Sequence, residues 1–357
     1  MTLQARTVGF QPGERNIFFH ILTGCNLACR HCYINKEQHG THMLSLATIK
    51  KWLDLFLDRS EPGKVESSAR SNLILLGGEP TMHPDLAKII GYAKSKGFAV
   101  TVDSNGYLFH DLLDRTNPEV LDYLSFSLDG PEPEVNDPIR GEGVFQVCTT
   151  NLRRAVGMGF NVSVIYTVSS RNIDHLHRMV PLLDRWGVKR FFIQVIGLRG
   201  NSATKQLGGV ELSSGWQVSP DHWLEVVPPV ARLAAERGIH VVYPKVFLDE
   251  HEPFECAGRV AENYFIFPNG RVYRCPLCED YPVNELSIED HRLVKNEGLT
   301  EDRFFQLTIP EGCVMDRLLQ AQTIHSGPTG RPDYRISCCL LKQEISLTSD
   351  SAGNILE

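Results

Sequence analysis

Short apolar runs of strand type alternate along the chain with longer segments whose apolar positions recur at helical spacing, the pattern of βα units around a parallel sheet. Six runs rich in Val, Ile, Phe or Leu are expected as strands: Ile17 to Leu22, Leu73 to Leu76, Ala99 to Asp103, Tyr123 to Leu128, Val162 to Val168 and Arg190 to Val195. Helices are expected over Leu46 to Asp58, Pro84 to Lys96, a stretch around Glu119, Val144 to Gly157, Ile173 to Trp186 and Pro220 to Arg237. Local signals mark their starts. Ser45 precedes the first helix, Asn172 stands where it would cap the fifth, and Ser219-Pro220 has the order of a cap followed by a proline. The fold class is α/β.

Gly77-Gly78, Asn105-Gly106 and Asp129-Gly130 each fall at a strand end, where glycine lets backbone approach a ligand closely. Between the sixth strand and the last helix, Gly197 to Val218 is rich in Gly, Ser and Asn and reads as a mobile lid or substrate loop. After Gly238 the βα rhythm stops, which divides the chain into residues 1–240, 241–347 and a small polar tail, 348–357, expected to fray. In the second part, Tyr264 to Phe267 and Arg271 to Tyr273 flank Pro268-Asn269-Gly270 and read as a β-hairpin with Cys275 just beyond it.

With 357 residues, 42% hydrophobic and 22% charged, the composition is that of an ordinary globular protein with room for about two domains. A net charge of −7 and the lack of any basic run argue against a nucleic-acid partner. No stretch approaches the ~18 apolar residues of a membrane span, and the N-terminal residues lack a secretory apolar run, so a cytoplasmic protein is expected. Ten cysteines in a reducing compartment read as metal ligands or catalytic thiols rather than disulfides.

Three of them, Cys25, Cys29 and Cys32, form a CxxxCxxC loop directly after the first strand. Three thiolates there would ligate three irons of a [4Fe-4S] cube and leave the fourth open to a chelating ligand. A zinc site recruiting His31 as fourth ligand is the alternative, disfavoured because zinc ribbons use paired CxxC knuckles. This loop, followed by the aromatic Tyr33, resembles the signature of the radical S-adenosylmethionine (SAM) superfamily. Gly77-Gly78-Glu79-Pro80, after the second strand, looks like that family's GGEP motif.

The resemblance implies a partial (β/α)6 TIM-like barrel with ligands at the C-terminal ends of its strands. It implies that the GGEP segment meets the SAM amino group through backbone and carboxylate, Glu79 orienting SAM rather than acting as a base. Ser104, Asn105, Ser127 and Asp129 fall where the family places polar contacts to SAM or substrate, although short polar residues at strand ends are also plain turn formers.

A second group, Cys256, Cys275, Cys278, Cys313, Cys338 and Cys339, lies beyond the barrel. Thirteen residues separate Cys256 from Gly270 and four separate Gly270 from Cys275, which resembles the opening of the SPASM and twitch domains. The resemblance implies a small Cys-rich hairpin and helix domain with one auxiliary [4Fe-4S] cluster on Cys256, Cys275 and Cys278, its fourth ligand being Cys313, Cys338 or Cys339. A zinc knuckle on the same thiolates stays open. Cys148, alone on a helix, is expected to pack.

The implied activity is reductive cleavage of SAM to a 5′-deoxyadenosyl radical that takes hydrogen from a substrate, with a flavodoxin- or ferredoxin-type electron donor. The substrate expected first is a ribosomal peptide or protein; tetrapyrroles and small molecules are the alternative, and a zinc or iron-sulfur scaffold is the non-enzyme rival. No precursor-binding winged-helix extension is expected before Ile17, which lowers the peptide reading. His20, Arg140, Tyr166 and Arg199 are candidate substrate contacts at the barrel mouth, each with an equally ordinary structural reading.

Overall fold

A computed structural model describes residues 2–10, 14–57, 71–109, 111–203, 205–207, 210–212, 215–249, 251–319 and 332–348. Thirteen strands join in one sheet: β1 (Thr2–Val8), β2 (Arg15–His20), β3 (Asn72–Leu76), β4 (Ala99–Ser104), β5 (Tyr123–Ser127), β6 (Val162–Val168), β7 (Arg190–Val195), β8 (His240–Pro244), β9 (Glu262–Ile266), β10 (Arg271–Tyr273), β11 (Leu286–Glu289), β12 (Arg292–Lys295) and β13 (Lys342–Thr348). All six expected strands are present as β2 to β7, paired in sequence order and all parallel.

Two further strands extend that parallel set. On one flank β8 pairs with β7, His240 opposite Arg190; on the other β9 pairs with β2, Glu262 opposite Arg15 and Ile266 opposite Phe19. The expected hairpin is therefore also a barrel-sheet neighbour: β9 lies along β2 and turns back antiparallel into β10, Phe265 opposite Tyr273. Beyond β8 the sheet closes with β13 between β8 and β1, both antiparallel to it. The polar tail from residue 349 onward lies outside the described residues.

Alternation along the strands separates two faces. Ile17, Phe19, Leu73, Leu75, Val100 and Val102 are fully buried beneath the helices, where Phe19 stacks on Trp52 of helix Leu46–Asp54 at 6.0 Å. On the other face a row of amides crosses three strands: Asn72 donates to Asn16 at 2.9 Å and Asn16 to Asn263 at 3.0 Å. One layer further along, Phe18 stacks on Phe265 at 4.5 Å, so the β2–β9 junction is packed as well as hydrogen-bonded.

Several helix expectations need correction. No helix forms around Glu119; the Asn117 carboxamide accepts from Glu119 N (3.0 Å) and Val120 N (3.2 Å) in a side-chain turn, and the local helix is Leu112–Arg115. The first helix stops at Asp54. The segment expected as one helix from Ile173 starts as 3₁₀ (Ile173–Arg178) and becomes α only over Met179–Arg185, because Pro181 has no N–H to give the His177 carbonyl. Asn172 caps nothing: its amide donates to the Asp129 and Thr167 carbonyls and tethers two barrel loops. Ser45 and Ser219 cap as expected, accepting from Thr48 N and His222 N. Among the described residues no helix is long and apolar enough to cross a membrane.

Phe265→Ala should lower stability by ~3–5 kcal/mol, the usual cost of deleting a buried aromatic ring. Chemical denaturation monitored by circular dichroism checks it; an unchanged midpoint would mean the β2–β9 junction is not part of the cooperative core.

Candidate active site

The cysteine loop leaves β2 at His20 and is gripped by three other segments. Glu79 N donates to Gly24 O at 2.9 Å and Gly78 N to Leu22 O at 2.9 Å, while Arg30 N bonds Ile139 O at 2.9 Å and Asn201 N bonds Cys32 O at 2.8 Å. Gly78 is required sterically: a Cβ there would stand 2.1 Å from Gly24 O. The structure brings Cys25, Cys29 and Cys32 together as half-buried free thiols. Burial pushes the Cys25 thiol up and Cys29 up to about 11, with the neighbouring thiols adding to the effect.

The GGEP and β4-end residues form one unit behind this loop. Glu79 is almost fully buried, and its carboxylate accepts from Thr81 N (3.0 Å), Thr81 Oγ1 (2.6 Å), Ser104 Oγ (2.8 Å) and Asn105 N (2.7 Å). Burial raises its pKa, against the pull of these donors. Asn105 passes the connection on: its Nδ2 donates to Asn26 Oδ1 at 3.0 Å and lies 3.6 Å from Cys25 Sγ. Glu79, Ser104 and Asn105 thus converge beside Cys25. Gly77 packs against Leu22 from the same loop, and Pro80 opens the 3₁₀ turn Pro80–Met82.

Asp129 serves the same loop from another side. It is fully buried and pairs with His31 Nε2 and Arg140 Nε, both at 2.7 Å, and accepts from Thr167 N at 2.8 Å. Burial alone would raise its pKa; Arg140 and His31 outweigh it and hold the carboxyl near 2. The charge is therefore present across neutral pH and is lost only as pH falls through about 2. Arg140, a candidate substrate contact, is instead the buried partner of Asp129. Ser127 is half-buried, its carbonyl beside the fully buried Cys148, which packs as expected with its thiol pushed up to about 12 by burial.

Of the four candidate substrate contacts, three face the protein. Tyr166 is fully buried and donates to Asn172 O at 2.7 Å; Arg140 is committed to Asp129; His20 bonds Ile266 O (3.0 Å) and Tyr33 OH (2.8 Å). Arg199 is turned toward the second cysteine group, against the Glu279 carboxylate and Pro276 O. The segment expected as a mobile lid is anchored at both ends, by a 3₁₀ turn at Gly200–Ser202 and by buried Trp216, which lies 6.1 Å from His31; residues 204, 208–209 and 213–214 within it are outside the described residues. Asn201 and Glu301 bind these two cysteine segments without any motif to mark them. The only signal for Asn201 was its place just after a barrel strand, and Glu301, whose carboxylate accepts from Arg274 N and Cys275 N, gave none.

Five of the six remaining cysteines line one cavity. Cys256, Cys275, Cys313, Cys338 and Cys339 share it with apolar neighbours such as Phe254, Leu277 and Phe304. Cys278 is fully buried but not on the cavity wall; it and Cys275 are free thiols within hydrogen-bonding reach of each other, with Glu301 beside Cys278. The hairpin turn that delivers Cys275 needs Gly270, at φ +87°, where an added Cβ would stand 2.7 Å from Ile288 O. Among the described residues, no three His, Cys, Asp or Glu side chains gather tightly enough to clasp a single metal ion.

The donor set at the barrel loop fits a [4Fe-4S] cluster: three free thiols in one loop, with the buried polar atoms Asn26 Nδ2 and His31 Nδ1 unpartnered beside them. Fold and loop together define a partial α/β barrel with a cysteine-loop cofactor site at the strand ends. Residues 19–183, a little under half of the chain, match the Radical SAM superfamily model.

Mycofactocin maturase MftC of Mycobacterium tuberculosis (strain ATCC 25618 / H37Rv) is 27% identical over 337 residues, covering 88% of this chain and 74% of that protein. Fe-coproporphyrin III synthase of Methanosarcina barkeri (strain Fusaro / DSM 804) is 28% identical over 195 residues, 53% of this chain and 46% of that one. Among solved structures, Streptococcus suis SuiB bound to precursor peptide SuiA superposes with a TM-score of 0.62 at 13% identity, over 85% of this chain and 70% of that chain, a likeness of fold.

Two outcomes are expected. Gly78→Ala should push the Gly24 carbonyl aside, cost ~1–3 kcal/mol of stability and lower iron uptake by the barrel loop, read by thermal melting and iron quantitation; wild-type iron content would refute the steric argument. Asp129→Asn should cost ~3–5 kcal/mol, because it strands the buried Arg140 charge, measured by denaturant unfolding at neutral pH.

Proposed function

We propose that this protein reductively cleaves SAM at the Cys25, Cys29, Cys32 loop and uses the resulting 5′-deoxyadenosyl radical to take hydrogen from a peptide or protein, which is thereby oxidised, crosslinked or epimerised. The observation that carries the reading is the convergence of three free thiols, the Gly77–Pro80 loop and Asn105 at the ends of β2, β3 and β4 within a radical SAM domain. A [4Fe-4S] cluster bound there supplies the electron that splits the sulfonium bond. The chain's own part is positional: Glu79 locks the β3 and β4 loops together, and Asp129 with Arg140 and His31 holds the cysteine loop to β5.

A peptide substrate is supported by the extent of likeness. The match to the maturase runs over most of the chain, whereas the match to the porphyrin synthase covers about half of it. The structure of SuiB with its precursor peptide shares the fold. Tetrapyrrole chemistry is the second reading, favoured by the synthase match alone.

The C-terminal cavity is assigned an auxiliary [4Fe-4S] cluster on Cys256, Cys275, Cys313 and one of the Cys338–Cys339 pair, with Cys278 behind it. Five thiols around one cavity outnumber the four donors a zinc ion takes and suit the four irons of a cluster. A flavodoxin- or ferredoxin-type protein of the cytoplasm supplies the electron.

Anaerobic reconstitution with iron and sulfide, followed by a dithionite-driven assay for 5′-deoxyadenosine, tests the reading. Wild type should hold about eight irons, two cubes of four, and form product. The Cys25→Ala/Cys29→Ala/Cys32→Ala variant should keep about four and form none; product from that variant would overturn the proposal.

A further inference from the structure

Directly after β7 the chain makes one tight turn, Arg199 to Ser202, that touches both cysteine sites. On its barrel side, Asn201 N donates to Cys32 O at 2.8 Å and Asn201 Nδ2 to Cys29 O at 3.0 Å, so a single side chain and its own backbone span two of the three cysteines. Gly200, at φ +53°, is pressed into the same loop: a Cβ would lie 2.5 Å from Cys32 O and 2.7 Å from Tyr33 O. On the other side, Arg199 Nη1 donates to Pro276 O at 2.7 Å and to the Glu279 carboxylate, and Gly200 N donates to Asp280 Oδ2 at 2.8 Å. The Arg199 guanidinium closes the span by lying 4.9 Å over the Tyr33 ring, and its charge reaches Cys339 on the cavity wall.

We propose that residues 199–201 act as a strap that couples the barrel cysteine loop to the Cys275–Asp280 segment, so that occupancy of the C-terminal cavity sets how the barrel loop binds SAM. The physical basis is the absence of slack. Toward the 276–280 segment the turn is held by the Gly200 N–H and by the Arg199 guanidinium, whose partner Glu279 is almost fully buried, so a shift of that segment drags Arg199 with it. The turn is bonded to Cys32 O and leaves no room for even a Cβ at 200 against Cys32 and Tyr33, so a displaced turn displaces the loop that presents the barrel thiols. Arg199 and Asn201 are thus positioning residues for a group neither touches. This inference rests on the two-site reading above.

The test is a double-mutant cycle on anaerobically reconstituted protein, reading the SAM dissociation constant and the EPR spectrum of the reduced barrel cluster. The pocket variant Cys256→Ala/Cys275→Ala should lose its C-terminal iron and, with the strap intact, weaken SAM binding by about fivefold or more and shift the EPR signal. In the Arg199→Gln or Asn201→Ala background the same pocket variant should produce no further change. Iron lost with SAM affinity and EPR unmoved, or moved equally in both backgrounds, would overturn the strap; iron content unaffected by the pocket variant would instead count against the auxiliary cluster.

Hydrogen exchange decides the strap independently of metal at the C-terminal site. Asn201→Ala, which removes one exposed amide and threatens folding least, should speed exchange in both 29–33 and 275–280. Faster exchange confined to residues next to position 201 would overturn the coupling.

Discussion

Strand β2 is parallel to both of its neighbours, and the rest of the site depends on that. Parallel pairing brings C-terminal ends to the same side of a sheet, so β3, β2 and β9 release their loops together: Gly77 to Pro80, the cysteine loop, and the Phe267 turn leading to Cys275. His20, the last residue of β2, locks this end. Burial pulls its pKa down to about 3, so it is neutral at physiological pH. A carbonyl can only accept, so Nδ1 carries the proton and donates to Ile266 O, which leaves Nε2 to accept from Tyr33 OH. One imidazole therefore ties the end of β9 to the residue that follows the cysteine triplet, and Phe267 stacks on its face at 4.0 Å.

Around the barrel thiols the chain has arranged charge economically. The cysteine loop contributes His31, and Asp129 and Arg140 come from β5's end and the helix beyond it, so the local charge is balanced inside the protein. Glu79 is the other buried carboxylate, and four short hydrogen bonds stand in for the water it lost. Burial keeps Cys29 near 11, so at neutral pH it is a thiol, and loading with iron displaces its proton. The loop is gripped mainly through its backbone, and the sulfurs add longer bonds, Leu27 N to Cys25 Sγ at 3.4 Å and Cys29 Sγ to Arg140 O at 3.6 Å.

The six barrel strands and the barrel thiols were legible in the sequence because each signal is local: an apolar run, a glycine pair, three cysteines within eight residues. What was not legible depends on partners far apart in the chain. β1 is mostly exposed and polar, and it is a strand only because β13, more than three hundred residues later, pairs with it. The β9–β2 pairing unites residues 262 and 15, and no local pattern distinguishes a hairpin that stands alone from one that also extends a parallel sheet. Asp129 could be placed at a strand end but not oriented, since the residues that turn it inward are His31 and Arg140. The hydroxyl of Tyr166 and the guanidinium of Arg199 are likewise committed by partners that only the fold supplies.

Several attachments join the cysteine groups, and two of them, different in kind, fix more in combination than either alone. The β2–β9 pairing is a ladder of backbone bonds that sets direction and register but would still permit the segment beyond β10 to rock about the sheet axis. The turn at 199–202 comes from β7, several strands away in the sheet, and meets the 276–280 segment from across the barrel mouth. A body held along one line can rotate about it; a body held along a line and at a point off that line cannot. The space between the barrel loop and the C-terminal cavity therefore has walls of fixed separation, which is what a hydrogen-abstracting radical requires, because the bond it attacks must lie within contact distance and every other hydrogen must not.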